Sequence, residues 1–424
     1  MTNIVIDEER QKALELLEGG ANVFLTGEAG TGKSSLAKHF LDTTKKKVLV
    51  LGSTGIAAIN VGGQTVHSAL RLRPGVKPAH IKKLDVPGIE IFQHVDAMLV
   101  DELSMLRGDV VDCMDTFLRL HGKDKGLPFG GIQFIGVGDI CQLPPVVTKD
   151  EEEEFSAEYP SPYFFDAHCY PSLQMRCVEL KRVFRQKDPE FVRVLNLIRK
   201  GEAQKADLRL LNKRHDRSFK REAYEHHIYL ATRNLAVDDY NATRLGGIKG
   251  QSNLFFGVAE GKFPRDRLPA ENSLTLKEGA RVMLLNNDRD KRWVNGDIGV
   301  VKGFGFSWVD VELSRRGLVS VGRHTWETSE QLYDKNSDTI MRRVTGTYMQ
   351  FPLRLAWAIT IHKSQGQTFE KVAIDLGKGT FAHGQAYVAL SRGTSLEGLV
   401  LAKKLKLEDI IFDERVREFM GKAA

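Results

Sequence analysis

With 424 residues, 42% hydrophobic and 27% charged, the chain has the makeup of a globular protein longer than one hydrophobic core usually allows, so two domains and a small third are expected. The net charge of +6 permits a polyanionic partner without demanding one, and no apolar run is long enough to span a bilayer. Cys113, Cys141, Cys169 and Cys177 show no C-x-x-C spacing, so they suggest neither a zinc site nor a disulfide framework, and the acidic Asp7-Glu8-Glu9 comes too close to the start for a signal peptide, so a cytoplasmic protein is expected.

Asp7 has the character of an N-cap for a helix running through Leu17, which Gly19-Gly20 stops. Gln11 lies in that helix and reads equally as a solvated glutamine or a ligand. The apolar run Val23-Phe24-Leu25 predicts a buried strand. It leads into Gly27-Glu28-Ala29-Gly30-Thr31-Gly32-Lys33-Ser34, which fits G-x-x-x-x-G-K-[ST], and Ser35 opens a helical pattern behind it. In that context the glycines let backbone N–H groups wrap a phosphate, and the helix N-terminus adds its partial positive charge. Lys33 is expected to reach the β- and γ-phosphates of a nucleotide, and Ser34 to ligate Mg²⁺.

A second strand, Lys47–Leu51, runs into the polar turn Gly52-Ser53-Thr54-Gly55. Thr65 and His67 come after a Gly62-Gly63 turn. Turns at strand C-termini face the ligand side of an open α/β sheet, and small hydroxyls there suit either phosphate contacts or loop capping. Residues from about 71 to 90 have poor periodicity and read as a short insertion. The apolar strand Ala97–Val100 ends in Asp101-Glu102: Asp101 suits Mg²⁺, and Glu102 suits polarisation of an attacking water. Another strand, Ile132–Val137, precedes Gly138-Asp139-Ile140-Cys141-Gln142-Leu143-Pro144-Pro145, where the Gln142 amide is placed to sense the γ-phosphate. The acidic stretch Lys149-Asp150-Glu151-Glu152-Glu153-Glu154, with Pro160 and Pro162 beyond, reads as an exposed loop.

A second half begins near Arg176. It carries Phe184-Arg185-Gln186, a helix from Asp188 through Leu197, and a strand, Ile228–Ala231, that turns at Thr232-Arg233-Asn234. From about 246 to 350, short β-rich runs separated by Asn295-Gly296 and Arg315-Arg316-Gly317 predict a small inserted antiparallel module. Doubly wound patterning resumes with Thr360-Ile361-His362-Lys363-Ser364-Gln365-Gly366, the strand Val372–Leu376, and a helix from Gly384 that ends at Arg392.

A GTPase would need N-K-x-D, and Asn212-Lys213-Arg214-His215 lacks the Asp. A small-molecule kinase would not need a second α/β domain of similar size. What remains is a motor in which two α/β lobes clamp ATP. Taken singly, Arg185 and Arg392 read as surface arginines; on a second lobe they suit a phosphoryl transition state. Thr54, Thr65, His67, Thr232, Asn234, Thr360, His362, Lys363 and Ser364 then fall at strand ends, where they contact a nucleic-acid backbone without reading sequence.

In order along the chain, these motifs resemble superfamily 1 DNA helicases, and Leu127-Pro128-Phe129-Gly130-Gly131-Ile132-Gln133 resembles the segment before motif III in their Pif-type members. The resemblance covers nearly the whole chain. It implies an α/β fold with two RecA-like parallel-sheet lobes: residues 1–175, with a short wedge-like insertion at about 71–90, and residues 176–245 with 351–424. A small antiparallel β-barrel module, 246–350, is inserted in the second. It implies ATP and Mg²⁺ as cofactors. Gln11 is then assigned to adenine, and Arg185 and Arg392 to the γ-phosphate. Gly27, Glu28, Ala29, Gly30, Thr31, Gly32, Lys33, Ser34, Ser35 and Gly366 are nucleotide-binding, and Lys33, Asp101, Glu102 and Gln142 carry catalysis, with Ser34 and Asp101 on the metal. The implied activity is 5′-to-3′ translocation on single-stranded DNA with unwinding of duplex, fork or structured DNA by a monomer, in genome maintenance and away from any membrane. The alternative is a DNA-stimulated ATPase that remodels nucleoprotein complexes without separating strands.

Overall fold

Six parallel strands build the first sheet: β1 (Val23–Gly27), β2 (Val48–Gly52), β3 (Gln64–Thr65), β4 (Ala97–Asp101), β5 (Gln133–Val137) and β6 (Arg176–Leu180), in the order β3-β2-β4-β5-β1-β6. β1 and β5 are buried along their whole length, as expected of strands covered on both faces by helices, and this is why they read as unbroken apolar runs. The helices are α1 (Glu8–Glu18), α2 (Lys33–Thr43), α3 (Gly55–Asn60), α4 (Val66–Ala69) and α5 (Gly108–His121). Ala13 and Leu17 of α1 and Leu36 and Phe40 of α2 join Leu25, Leu99 and Ile135 in one core. This computed structural model describes residues 5–423 other than 74, 185, 187, 266, 267 and 315.

The described chain divides into two units, one drawn from residues 1–184, 328–345 and 413–424, the other from 185–327 and 346–412. This moves two expected boundaries. Residues 176–180 pair in parallel with β1, from Val23↔Arg176 to Gly27↔Leu180, so they close the first sheet and do not open the second lobe. The C-terminal helix Glu414–Ala423 also belongs to the first unit. Its Phe419 stacks on Phe165 with centroids 4.3 Å apart and meets Phe24 edge-on at 6.4 Å. Arg415 pairs with Asp166, and Tyr163 donates to Asp413 at 3.1 Å. The β-hairpin tip 328–345 is likewise part of this unit. Tyr333 stacks on His94 at 3.6 Å, Lys47 pairs with Asp338, and the Gln331 amide donates to Val50 O at 2.9 Å.

Two further segments depart from expectation. The acidic run folds as a helix, Glu152–Glu158, because three glutamates in its first turn favour the positive end of the helix and Phe155 anchors its inner face. The insertion at 71–90 holds a 3₁₀ turn, Pro78–His80, and lies along α5: Leu84 N donates to His121 Nε2 at 2.8 Å, and the Cys113 thiol to Val76 O at 3.3 Å.

The second unit has a four-stranded parallel sheet in the order Ala358–Thr360, Ile228–Ala231, Val372–Asp375, Leu399–Leu401. An antiparallel module is continuous with it. Its five-stranded sheet runs Gly317–Gly322, Trp308–Leu313, Ile298–Phe304, Arg281–Leu284, Leu353–Leu355. Tyr229 and Trp357 of the parallel layer share one buried cluster with Val282, Val301 and Val311 of the module, so the two fold around a common core.

Behind this sheet, burial and then the cations Lys371, Arg281 and Arg214 with His226 push His227 down to about 4. The unfolded chain therefore binds a proton that the folded chain refuses between pH 6.5 and 4, and stability falls as pH drops through that window. Urea unfolding at about pH 7.5 and about pH 5 is expected to show that loss, on the order of 1 kcal/mol once solvent screening of the half-exposed ring is allowed for, and His227→Gln is expected to flatten it. Parallel losses in both proteins would assign the acid limb to other groups.

Candidate nucleotide and DNA site

The phosphate loop is built by close backbone approach. Gly27 has φ +143°, and a Cβ there would sit 2.4 Å from Leu180 O, so only glycine lets β1 end beside β6. Gly30 (φ 87°) and Gly32 (φ 84°) turn the chain left-handed before α2, with Gly32 as its N-cap. Lys33 Nζ donates to Gly27 O at 2.8 Å and Glu28 O at 3.0 Å, and the buried Thr31 hydroxyl donates to Glu28 O at 2.9 Å. Lys33 is half-buried, and Ser34 and Ser35 are exposed, at the start of α2.

Asp101 ends β4, half-buried. Burial raises its carboxyl, while the Glu102 N–H and the Lys33 charge oppose the rise. A carboxylate partly stripped of water beside a phosphate loop is relieved by a cation, so Asp101 with the Ser34 hydroxyl fits Mg²⁺. Among the described residues no group of three or more His, Cys, Asp or Glu could hold a metal. Glu102 adopts φ 53°, ψ 42°, a left-handed conformation that costs a non-glycine residue about 1–2 kcal/mol. It turns the chain out of the strand directly after Asp101, so the two neighbouring carboxylates leave the backbone differently.

Gln142 donates to Asp139 Oδ2 at 3.2 Å, and the Cys141 N–H meets Asp139 Oδ1 at 3.2 Å, so a buried aspartate sets the glutamine's turn. The Pif-type segment 127–133 has a structural reason. Phe129 and Gly130 are left-handed (φ 52° and 63°), Phe129 N donates to Asp115 Oδ1 at 2.6 Å, and the buried Phe129 ring lies 4.8 Å from Phe134. Gln133 then bonds Leu17 O (3.0 Å), Ala21 O (2.6 Å) and the Lys46 ammonium (2.8 Å), tying the end of α1 to the start of β5.

Several expected residues are placed differently. Gln11 is exposed and donates to Glu15 Oε1 at 3.1 Å. Its neighbour Arg10 is the buried member of α1: it pairs with Asp7, donates to Thr31 O at 2.8 Å, and lies 4.9 Å over the Phe184 ring. Phe184 N in turn donates to Gly30 O at 3.0 Å. The family resemblance assigned the glutamine to adenine, and nothing in the sequence had singled out the arginine.

Thr54 and Thr65 cap α3 and α4, accepting from Ala57 N at 3.2 Å and Ser68 N at 3.1 Å, so loop capping holds at both. His67 and Thr232 are half-buried, and Asn234 is exposed on the first turn of its helix. Thr360 and Ser364 are corrections. Both are buried, with Thr360 Oγ1 accepting from Lys363 N at 3.3 Å and Ser364 Oγ donating to Ile361 O at 2.7 Å. They shape the turn that presents His362, Lys363 and Gly366, which are exposed.

Arg185 lies outside the described residues. Arg392, read from sequence as a surface arginine when taken alone, is 1% exposed. It donates to Val388 O (2.9 Å), Ser364 O (3.2 Å), Gln367 O (3.1 Å) and Ser391 Oγ (2.9 Å). Gln186, also missed, donates its amide to Ser391 O at 3.0 Å and Gly393 O at 3.2 Å, clamping the turn that carries Arg392. Its place next to Arg185 was the one available signal. No described helix is long and apolar enough to cross a membrane.

Comparison with known proteins meets this geometry. The family model for PIF1-like helicase matches residues 5–209. The mouse ATP-dependent DNA helicase PIF1 is 35% identical over 411 residues, covering 93% of this chain and 59% of its own length, so the chain spans about three fifths of that relative. The Bdellovibrio bacteriovorus ATP-dependent DNA helicase Pif1 is 32% identical over 429 residues, 98% of this chain and 92% of its own. Bacteroides sp Pif1 in complex with ADP-AlF4 superposes with a TM-score of 0.92 at 35% identity, covering 99% of this chain and 97% of that one; Bacteroides Pif1 bound to ssDNA superposes at 0.71 and 36%, with the same coverage. A phosphate loop, a strand-end carboxylate pair and a clamped arginine turn thus come together in a chain aligned almost end to end with a bacterial relative, and the chain belongs to the PIF1-like helicase family.

Proposed function

We propose that this chain is an ATP-dependent DNA helicase that translocates 5′-to-3′ on single-stranded DNA and unwinds duplex, fork or structured DNA as a cytoplasmic monomer. The observation that carries the reading is the end of the first sheet, where Lys33 comes after β1, Asp101 ends β4 with Glu102 next in the turn, and the Lys33 charge opposes the rise that burial imposes on the Asp101 carboxyl. Ser34 and Asp101 would hold Mg²⁺, which would supply neutralisation of the phosphate charge. Lys33 leaves its loop carbonyls for the β- and γ-phosphates, Glu102 takes the proton of the attacking water, and Gln142 orients that water or a γ-oxygen. Arg392 and Arg185 act on the γ-phosphate. The polarity rests on likeness to the family.

DNA contacts are assigned to His67, Thr232, Asn234, His362 and Lys363, with Thr54 and Thr65 offering hydroxyls beyond their capping bonds. Such contacts go to the backbone, so affinity for oligothymidine is expected to fall steeply with salt; a flat dependence would remove these contacts. A remodelling ATPase that leaves duplexes paired is the second reading. It is favoured by the insertion at 71–90, which lies along α5. A fork with one labelled strand divides the two: release with ATP supports unwinding, and DNA-stimulated hydrolysis without release supports remodelling.

A further inference from the structure

The inserted β-module ends in an aromatic tip that nothing above uses. Phe306, in the turn between the strands Ile298–Phe304 and Trp308–Leu313, is wholly exposed at 104% of its reference area. Trp308 comes two residues later, 42% exposed, with its ring laid against Gly305 so closely that a Cβ there would sit 2.1 Å from it. Trp308 pairs across the sheet with Gly322, and Arg323 comes next in the chain. Arg323 donates to Phe256 O at 2.9 Å, and the Phe256 ring is 57% exposed. Phe306, Trp308 and Phe256 are thus three exposed rings of this module, and the Arg323 guanidinium, which bonds the Phe256 carbonyl, also lies 5.2 Å over the Phe351 ring. The acidic groups farther along this strand are engaged, Asp310 by the Ser320 hydroxyl and Glu312 by Lys302 at 2.7 Å.

A wholly exposed phenylalanine at a tight turn adds nothing to the core, and exposing it to water is unfavourable relative to burial. Three rings offer at most roughly 750 Å² even if fully used, short of the ~800 Å² a side that a stable protein interface needs. Flat aromatic faces beside a guanidinium instead match the unpaired bases of a nucleic-acid strand, since every base has a π-face and the cation suits its phosphates. We propose that this tip is a base-stacking platform for single-stranded DNA, with Phe306 as its leading ring and Trp308 and Arg323 behind it. The inference rests on the single-stranded DNA reading above.

The test uses the full chain and an oligothymidine carrying one 2-aminopurine. Phe306→Ala is expected to weaken binding about tenfold and to relieve the quenching of the probe, while Phe306→Trp restores both. The slope of log affinity against log salt is expected to stay unchanged, because stacking releases no counterions, and so is ATP turnover without DNA. If the wild-type chain binds and Phe306→Ala matches it in affinity and quenching, the platform is overturned and the patch is left to a protein partner. A changed salt slope would overturn it equally, by making the tip an electrostatic contact. Failure of the wild-type chain itself to bind would fall on the functional reading and not on the tip.

Discussion

Glu102→Gln is expected to cut DNA-stimulated ATP turnover by about 10³-fold while nucleotide still binds with near-normal affinity. The substitution keeps the size of the side chain and removes only its ability to take a proton. Asp101, the assigned metal ligand, is untouched, and so is the Lys33 ammonium, held in its loop at 2.8 Å from Gly27 O. The left-handed backbone at Glu102 (φ 53°) belongs to the turn and not to the carboxylate, so the amide inherits the same direction. Lys33→Ala makes the contrast: it removes the group assigned to the phosphates, so turnover and nucleotide affinity are expected to fall together. Single-turnover hydrolysis and binding of a fluorescent nucleotide measure the two effects separately. Near-wild-type turnover in Glu102→Gln would take the proton-acceptor role away from this residue.

Arg392→Ala is expected to slow turnover by about 10³-fold or more if its guanidinium reaches the transferring phosphoryl group. The structure gives this arginine a second duty, because it also bonds the carbonyls of Ser364 and Gln367 in the turn that presents His362 and Lys363. Its loss is therefore expected to weaken DNA stimulation as well as the chemical step. Arg392→Lys keeps the charge but cannot make the forked set of bonds, and is expected to stay close to Ala. Gln186→Ala separates the duties. It frees the Ser391 and Gly393 carbonyls without removing the guanidinium, so it is expected to lower kcat modestly and leave nucleotide KM unchanged. If Arg392→Ala loses DNA stimulation yet keeps its DNA-free turnover, the arginine is a brace for the DNA turn and the γ-phosphate role falls.

Local pattern was enough to find the strands and turns that carry chemistry. Val23–Leu25 and Ala97–Val100 are apolar because helices cover both faces of their sheet, and the glycine loop after the first and Asp101-Glu102 after the second must then lie at the sheet's ligand edge. That much is dictated by the residues themselves, since a strand's burial and a turn's glycines are properties of a few neighbours. The tertiary structure decided everything that depends on partners far away in the chain. Residues 176–180 read as the opening of a second domain until they pair with β1, residues 23–27, from the far end of the same lobe. Arg10 and Gln186 gain their roles only when Thr31 O and the carbonyls of Ser391 and Gly393 stand before them. Thr360 and Ser364 carry hydroxyls that suit DNA, and burial commits them to their own turn. Phe306 lies in a β-rich run, and only the turn that lifts it clear of the core gives it a face to offer. The physical reason is common to all of these: hydrogen-bond partners and solvent exposure are set by which backbone arrives alongside, and sequence spacing records that only for residues a few positions apart.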